Sequence, residues 1–493
     1  MAVSDRSRGR RPEFITNRTH GKMCKGKLQP KNEGIQLGLF SEIPDKPAVR
    51  EPGRIPVVDG SGVELRSRLT RQRAVTTHLL EKIADPANLL RAYRQVARNK
   101  GSAGVDGMDV EGLKQWLNGN LKGLTAALRE QSWQVSPVRK VEIRKPSGGT
   151  RMLGIPTVRD RMIQQGIAQQ LTPLYDPSFS EHSYGFRPGR GARQAIAQAA
   201  HYVGEGKVWV VDIDLEKFFD KINHDRLMTR LSKAIGDKRV LRLIEAYLKS
   251  GIMEGGLSQQ RTAGTPQGGP LSPLLSNIVL DELDAELEKR GLSFCRYADD
   301  CNIFVASRKA AQRVMNSLIG FLEGKLKLKV NRAKSGVRHC EQVTFLGYTI
   351  LADGGIRVAD KSIERLKEKI RETTKRNRGV SFPQLIEELN AIVRGWTNYF
   401  RSARRWLTTL RDLDGWIRRK LRCYRLKQCG RKHTIYKFLR KLGVGKNKSW
   451  NVVMYSQGWW NMSNKPAVSR SMSPKWFAQQ GLLSLYARMT VLK

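Results

Sequence analysis

Residues Phe294 to Val305 read FCRYADDCNIFV, and this stretch restricts the fold more than any other in the chain. Two short β-prone runs flank a tight Ala298-Asp299-Asp300 step, the pattern of a hairpin with adjacent carboxylates at its tip. Neighbouring acids on a hairpin repel each other and contribute nothing to a core, and a divalent cation would remove the repulsion. Surface turns often contain Asp, so the pair alone does not assign a role. A second acidic run lies upstream. Val208 to Asp214 reads VWVVDID, a strand pattern ending in acid. Its alternation sets Trp209, Val211 and Ile213 on one face and Val210, Asp212 and Asp214 on the other. If that strand pairs with the hairpin, three carboxylates converge where two Mg²⁺ ions could sit. Two metals about 3.5–4 Å apart stabilise both the attacking and the leaving oxygen of a phosphoryl transfer.

Charge narrows the partner. The 493 residues carry 89 Lys and Arg against 45 Asp and Glu, a formal net charge of +44. That imbalance points to a polyanion. A polybasic membrane protein would show an amphipathic or lipidated anchor. None is visible, and no apolar run approaches the ~18 residues of a spanning helix. No apolar signal segment opens the sequence, so a secreted protein is not expected. The six cysteines form no CxxC pair, which fits free thiols in a reducing compartment better than a zinc module or a disulfide framework.

Residues 1–80 hold 16 basic and 8 acidic residues with scattered Gly and Pro, and are expected to form a basic, mostly disordered tail. Leu89, Leu90, Tyr93 and Val96 then suggest a helix, and Gly101 to Gly107 breaks it as a linker or loop. Val138 to Ile155 reads as a hairpin rich in Arg and Lys, turning at Pro146 to Gly149. Residues 225–260 look helical and connecting. A Gly-rich loop from Gly264 to Pro273 leads into a helical stripe of Leu274, Leu275, Ile278, Leu283 and Leu287. Such a loop lets backbone approach a ligand closely. From 361 to 440 there are 23 basic residues against 7 acids, with apolar stripes at Ile363, Leu366, Ile370 and at Leu385, Leu389, Ile392, Val393. Their opposite faces are basic, as expected for helices laid along a duplex.

Tyr297-Ala298-Asp299-Asp300 resembles the YADD box of reverse transcriptases, and Asp214 with Phe218-Phe219-Asp220 resembles their first catalytic motif. The two acids stand 85 residues apart in family order. Ser183 to Arg190 (SYGFRPGR), Thr265 to Pro273 (TPQGGPLSP) and Phe345 to Ile350 (FLGYTI) resemble further boxes of the same enzymes. Leu389 to Phe400 (LNAIVRGWTNYF) resembles the signature of group II maturase domains. Over roughly residues 85–450, the chain is similar to bacterial group II intron-encoded reverse transcriptase/maturases. It departs from many of them in lacking a Cys/His array for a C-terminal endonuclease, which puts cleavage of a second DNA strand in doubt.

The resemblance implies an α+β right-hand polymerase: fingers and palm at 81–355, a helical thumb/maturase domain at 356–450, and a small DNA-binding appendage at 451–493. It implies RNA-directed DNA synthesis, binding of a group II intron RNA with promotion of splicing and mobility, and a bacterial, cytoplasmic, nucleic-acid-associated setting. The implied partners are the intron RNA, an RNA template with a DNA primer or target, and dNTPs, with no membrane. Asp214, Asp299 and Asp300 are then the ligands of two Mg²⁺ ions; Asp212 is the less favoured acid because it lies further from the strand's end. Lys145 and Arg151 flank the fingers turn and would hold the triphosphate, Arg by a bidentate contact and Lys as a point charge. Phe219 would lie beneath the sugar and exclude a 2′-hydroxyl. Gln267 would touch template or nucleotide, and Lys334 the leaving pyrophosphate. Arg394, Arg401, Arg404 and Arg405 would meet RNA phosphates, while Trp396, Tyr399 and Phe400 belong to the core. Two alternatives stay open: a splicing cofactor that does not need catalysis, and an intron-free reverse transcriptase used in host defence.

Overall fold

The computed structural model describes residues 76–144, 150–254, 257–259, 264–265, 268–403, 405 and 407–491. Lys145, Gln267 and Arg404 lie outside them, as does the basic segment up to residue 75. Helices α1 (Leu79–Ile83), α2 (Pro86–Arg98) and α3 (Val110–Arg129) come first. Leu79 and Leu80 are buried, and the Leu80 N–H donates to Asp237 at 3.0 Å. Ordered packing therefore begins before residue 81, where the tail was expected to end. On α2 the buried stripe is Leu89, Ala92 and Val96, at i, i+3, i+7, whereas Leu90 is 37 % exposed. One residue's turn of ~100° carries Leu90 off the apolar face. The Gly101–Gly107 segment is not a free linker. Arg161 donates to Ser102 O, Arg159 pairs with Asp106 at 3.2 Å, and a Cβ on Gly104 would lie 2.6 Å from Thr157 Cα.

Strands β1 (Val138–Arg144) and β2 (Thr150–Ile155) form the basic hairpin, followed by α4 (Val158–Tyr175) and α5 (Ala192–Gly204). Next come β3 (Trp209–Ile213), α6 (His224–Ala234) and α7 (Lys238–Lys249). The stretch expected to stay helical then turns into β4 (Ile252–Glu254) and β5 (Leu257–Gln259). These runs of three residues are too short for periodicity to register. β4 pairs parallel with β1, giving a fingers sheet of order β2-β1-β4-β5.

Helix α8 (Ser272–Lys289) leads to β6 (Ser293–Tyr297) and β7 (Asp300–Val305); α9 (Arg308–Gly320) and β8 (Gly336–His339) follow. The palm sheet has order β6-β7-β3-β8, antiparallel throughout. Its faces divide the hydrophobic interior. Val211, Ile213, Phe294, Cys301 and Ile303 join a core built with the fingers and palm helices. Val210, Cys295 and Phe304 join a second core that includes α5 and the helical region after residue 360. The alternation read in VWVVDID is the alternation of these two cores. On the second face the apolar cover stops after Val210, and Asp212 is only half-buried.

Strands β9 (Tyr348–Ile350) and β10 (Ile356–Val358) form a hairpin that straddles residue 355, so palm and thumb join through an element rather than a linker. Helices α10 (Asp360–Thr373), α11 (Phe382–Tyr399) and α12 (Leu407–Cys429) make the thumb. Six shorter helices follow: α13 (Lys432–Lys441), α14 (Lys446–Met454), α15 (Gly458–Met462), α16 (Pro466–Ser471), α17 (Pro474–Gln479) and α18 (Leu485–Val491). α14 runs across residue 450, and Val468, Met472, Phe477 and Leu485 belong to the thumb's own core. Asp414 fixes this end by accepting from Ser484 Oγ and the N–H groups of Leu485 and Tyr486. An acceptor here satisfies N–H groups that the first turn of a helix leaves free. Among the described residues, no helix is long and apolar enough to cross a membrane.

Candidate active site

The β3–β7 register places Ile213 opposite Cys301. Extended by one residue, it sets Asp214 opposite Asp300. Directly opposed antiparallel residues have Cβ atoms about 4.5–5.5 Å apart. Tyr297 pairs with Asp300 across β6 and β7, so Ala298 and Asp299 form a two-residue loop. Ala298 adopts φ +58°, the left-handed conformation such tight hairpin loops demand. The three expected ligands thus meet at one end of the palm sheet. The backbone of Asp214 is held from below. Ser335 Oγ accepts its N–H at 2.9 Å and donates to its carbonyl at 3.2 Å, and the Asn331 N–H donates to the same carbonyl at 2.8 Å.

The charges order themselves. Asp212 is paired with Arg338 at 2.8 Å, and its acid is raised, first by burial, with Arg338 opposing and Asp214 adding to the rise. That pairing leaves Asp214 as the strand's available carboxylate. Lys334 Nζ lies 3.4 Å from Asp214 Oδ2. Asp300 keeps a solvent-exposed surface, but protein atoms crowd behind it. That desolvation, then Asp299, Asp212 and Asp214, push its acid up to about 7, with Lys334 opposing. The donors are hard carboxylate oxygens with an excess of negative charge, which suits Mg²⁺. Among the described residues, no three His, Cys, Asp or Glu side chains already enclose one point. Mg²⁺ is commonly held by one or two carboxylates together with water and substrate phosphates, so an open set fits the ion.

The hairpin's support was not evident from sequence. Arg296 is fully buried on the core face of β6. It donates to Asp284 on α8 at 2.7 and 2.5 Å, to Asn277 Oδ1 at 2.9 Å and to the Ala298 carbonyl at 2.9 Å. Burial opposes its charge, but the Asp284 carboxylate outweighs this and holds the guanidinium's pKa up. Asn277 Nδ2 in turn donates to Gly185 O at 2.9 Å. A Cβ on Gly185 would stand 2.3 Å from the Ala298 N, so the SYGFRPGR segment packs backbone to backbone on the acidic turn. One signal existed: an Arg inside an apolar strand and an Asp inside an apolar helical stripe, of opposite sign.

Phe219 lies on a single helical turn, Phe218–Lys221, entered through Lys217 at φ +49°. It is half-buried at the edge of the first core, edge-on to Phe218 with ring centres 5.4 Å apart. The start of the glycine loop docks on this turn. The Thr265 N–H donates to Phe219 O at 2.7 Å, and His224 Nε2 lies 2.6 Å from Gly264 O. Further on, a Cβ on Gly268 would be 2.9 Å from Gly154 O, and one on Gly269 would be 2.2 Å from Gln164 Oε1. The two glycines let the loop lie between fingers and palm. Arg151 sits on β2 opposite Ile143.

In the thumb, Trp396 and Phe400 are buried and Tyr399 is half-buried, as core residues should be. Tyr399 Oη donates to Leu346 O at 3.0 Å, and Tyr348 Oη donates to Tyr399 O, which locks the FLGYTI turn to the thumb. Arg394 and Arg401 are exposed, and Arg405 is exposed and paired with Asp353 at 2.8 Å.

Paired acids at the end of an antiparallel palm sheet, a packed aromatic beside them and a helical thumb define a reverse transcriptase. The profile of the reverse transcriptase (RNA-dependent DNA polymerase) family matches residues 143–350, and that of the group II intron maturase-specific domain matches residues 363–443. Protein YkfC of Escherichia coli is 33 % identical over 314 residues, covering 55 % of this chain and 82 % of YkfC. The group II intron-encoded protein LtrA of Lactococcus lactis subsp. cremoris is 30 % identical over 342 residues, 56 % of this chain and 57 % of LtrA. The chain therefore belongs to the group II intron-encoded reverse transcriptase/maturase family, and it spans little more than half the length of LtrA. A Cas6-RT-Cas1–Cas2 complex is 28 % identical over 50 % of this chain and 43 % of that one, with a TM-score of 0.33, too loose an overlap to bear on the fold.

Proposed function

We propose that this chain copies RNA into DNA at the Asp214, Asp299 and Asp300 site, and that it binds the group II intron RNA that encodes it, promoting splicing and mobility. The observation that supports the first part is the β3–β7 register, whose last pair, Ile213 with Cys301, leaves Asp214 and Asp300 as the next residues of the two strands. Two Mg²⁺ ions held by the three carboxylates would lower the pKa of the primer 3′-hydroxyl and offset charge on the leaving pyrophosphate.

The chain's own residues do the positioning. Lys145 and Arg151 hold the triphosphate of the incoming dNTP from the fingers hairpin. Phe219 closes the space beside the ribose C2′, so a 2′-hydroxyl meets the ring. Gln267 lies against the template or nucleotide. Lys334 leaves Asp214 and turns to the pyrophosphate oxygens as the primer 3′-oxygen bonds the α-phosphorus and the bond to the β-phosphate oxygen breaks. Splicing needs no such step. Arg394, Arg401, Arg404 and Arg405 favour the folded intron by binding it, which shifts the RNA's own equilibrium.

Primer extension on an RNA template, with Mg²⁺ and with chelator, tests the reading. The parent extends and Asp299→Ala does not. Splicing of an intron transcript, run beside it, should survive Asp299→Ala and weaken steeply with salt, as phosphate contacts do. A parent that splices but never extends would leave only a splicing cofactor.

A further inference from the structure

Outside the polymerase cleft, the thumb carries a second concentration of positive charge. The C-terminal end of α10, α12 and α15 enclose an open cavity of about 500 Å³ lined by Arg371, Lys375, Arg376, Lys420, Lys427 and Trp459. No palm or fingers residue lines it. Among the described residues, the ion pair reaching this lining is Arg371–Glu364 at 3.8 Å, between half-exposed side chains. Aromatic rings steady two of the lining cations, Arg371 and Lys420. Arg371 lies 5.7 Å from the Trp416 ring centre, and Lys420 lies 5.6 Å from Trp416 and 5.1 Å from Trp460. Arg419 covers Trp460 at 3.9 Å. A ring steadies a cation without neutralising it, so the charge remains for an anion. Burial lowers the Lys420 pKa, and Arg371 and Arg376 add to the fall against the opposing effect of Cys423.

From this geometry we infer a binding site for one unpaired RNA nucleotide, its phosphate among Arg371, Arg376, Lys420 and Lys427 and its base against Trp459. The inference rests on the RNA-binding half of the proposed function. The cavity has room for a nucleotide. Its volume lies within the ~300–1,000 Å³ typical of small-ligand sites. Trp459 brings an aromatic surface of the kind on which splayed-out RNA bases stack. All five lining cations fall within residues 363–443, which match the intron maturase profile. That favours RNA over a DNA strand.

The test uses the full chain loaded with a template–primer duplex ended by a dideoxynucleotide, so that the polymerase cleft is filled. A labelled oligouridylate is then titrated against it, with oligothymidylate and a blunt RNA duplex as competitors. The loaded parent should bind oligouridylate, and the other two should compete at least tenfold less well. Lys420→Ala with Lys427→Ala should weaken binding at least tenfold and reduce the log–log salt slope by about 1.4. Trp459→Ala should weaken it about 5- to 150-fold. All variants should still extend a primer on a short RNA template, which reports an intact fold and cleft. A 4-thiouridine oligomer should crosslink to the loaded parent at residues around Trp459. No second-site binding, crosslinks confined to the palm, unchanged affinity in the variants, or equal binding of oligothymidylate would each overturn the assignment. A parent that crosslinks here yet never extends a primer would sink the polymerase reading and leave this one standing.

Discussion

Replacing Arg296 by Ala would separate what holds the acidic turn from what performs the chemistry. The change deletes two hydrogen bonds to Asp284, one to Asn277 and one to the Ala298 carbonyl. It also strands the Asp284 carboxylate at 0 % exposure. Breaking a buried pair from one side costs about 3–5 kcal/mol. Removing both charges with Arg296→Met and Asp284→Leu should return most of that stability, because apolar replacements of buried pairs are neutral to stabilising. It should not return activity. The Ala298 carbonyl and Asn277 Oδ1 still lack their donor, a loss of about 1–3 kcal/mol for each group left unpaired. The turn that carries Asp299 and Asp300 is then loosely held, and a misplacement near 1 Å costs about 10²-fold in rate. Urea unfolding followed by hydrogen exchange in β6 and β7 reads the stability, and steady-state primer extension reads kcat and KM. The expected result is a kcat about 10²-fold lower in both variants, with the KM for dNTP little changed. A double variant that regains both stability and kcat would refute the positioning argument. A single variant that loses less than about 1 kcal/mol would refute the buried-pair argument.

Four further outcomes are expected. Gly185→Ala puts a methyl 2.3 Å from the Ala298 backbone nitrogen, which cannot yield as a flexible side chain would; overpacking of about 1–3 kcal/mol and a drop in primer extension are expected. Phe219→Ala should raise rNTP incorporation relative to dNTP, and unchanged discrimination in competing-substrate assays would rule out the ring as the excluding group. Asp300, with its acid at about 7, holds a proton that must leave before its oxygens can ligate. The Mg²⁺ concentration for half-maximal extension should therefore rise as pH falls below about 7 and level off above it. The raised value also means that the metal-free fold loses stability as pH rises from the unfolded carboxylate range, about 3.9, toward 7. Asp300→Asn should flatten that pH profile in urea melts.

Much of this site could be read in the chain because it rests on local pattern. Alternation in VWVVDID gave both faces of β3, and the apolar runs around Asp299 and Asp300 gave the hairpin. What stayed hidden depended on partners distant in sequence. Arg296 is understood only with Asp284 and Asn277 on α8, and Ser335 only with the backbone of Asp214, 121 residues away. The helix at Leu89, Leu90, Tyr93 and Val96 was legible, but four apolar residues in a short window do not say which of them share the buried side, and Leu90 is 37 % exposed. Strands β4 and β5 escaped notice because three residues carry no measurable period.

Legible in the sequence alone were the candidate acids and their order, the excess of positive charge, +44, that a polyanion would meet, and the helical character of the chain after residue 360. Tertiary structure decided which carboxylate faces the cleft unpaired by an arginine, since Arg338 reaches Asp212 only once β8 lies beside β3. It also decided where the second core ends, because an apolar face stops being core only where no neighbouring element covers it. The physical reason is the range of the forces. Backbone periodicity and net charge act along the chain or over the whole molecule, whereas desolvation and ion pairing depend on contacts of a few ångströms that only folding creates.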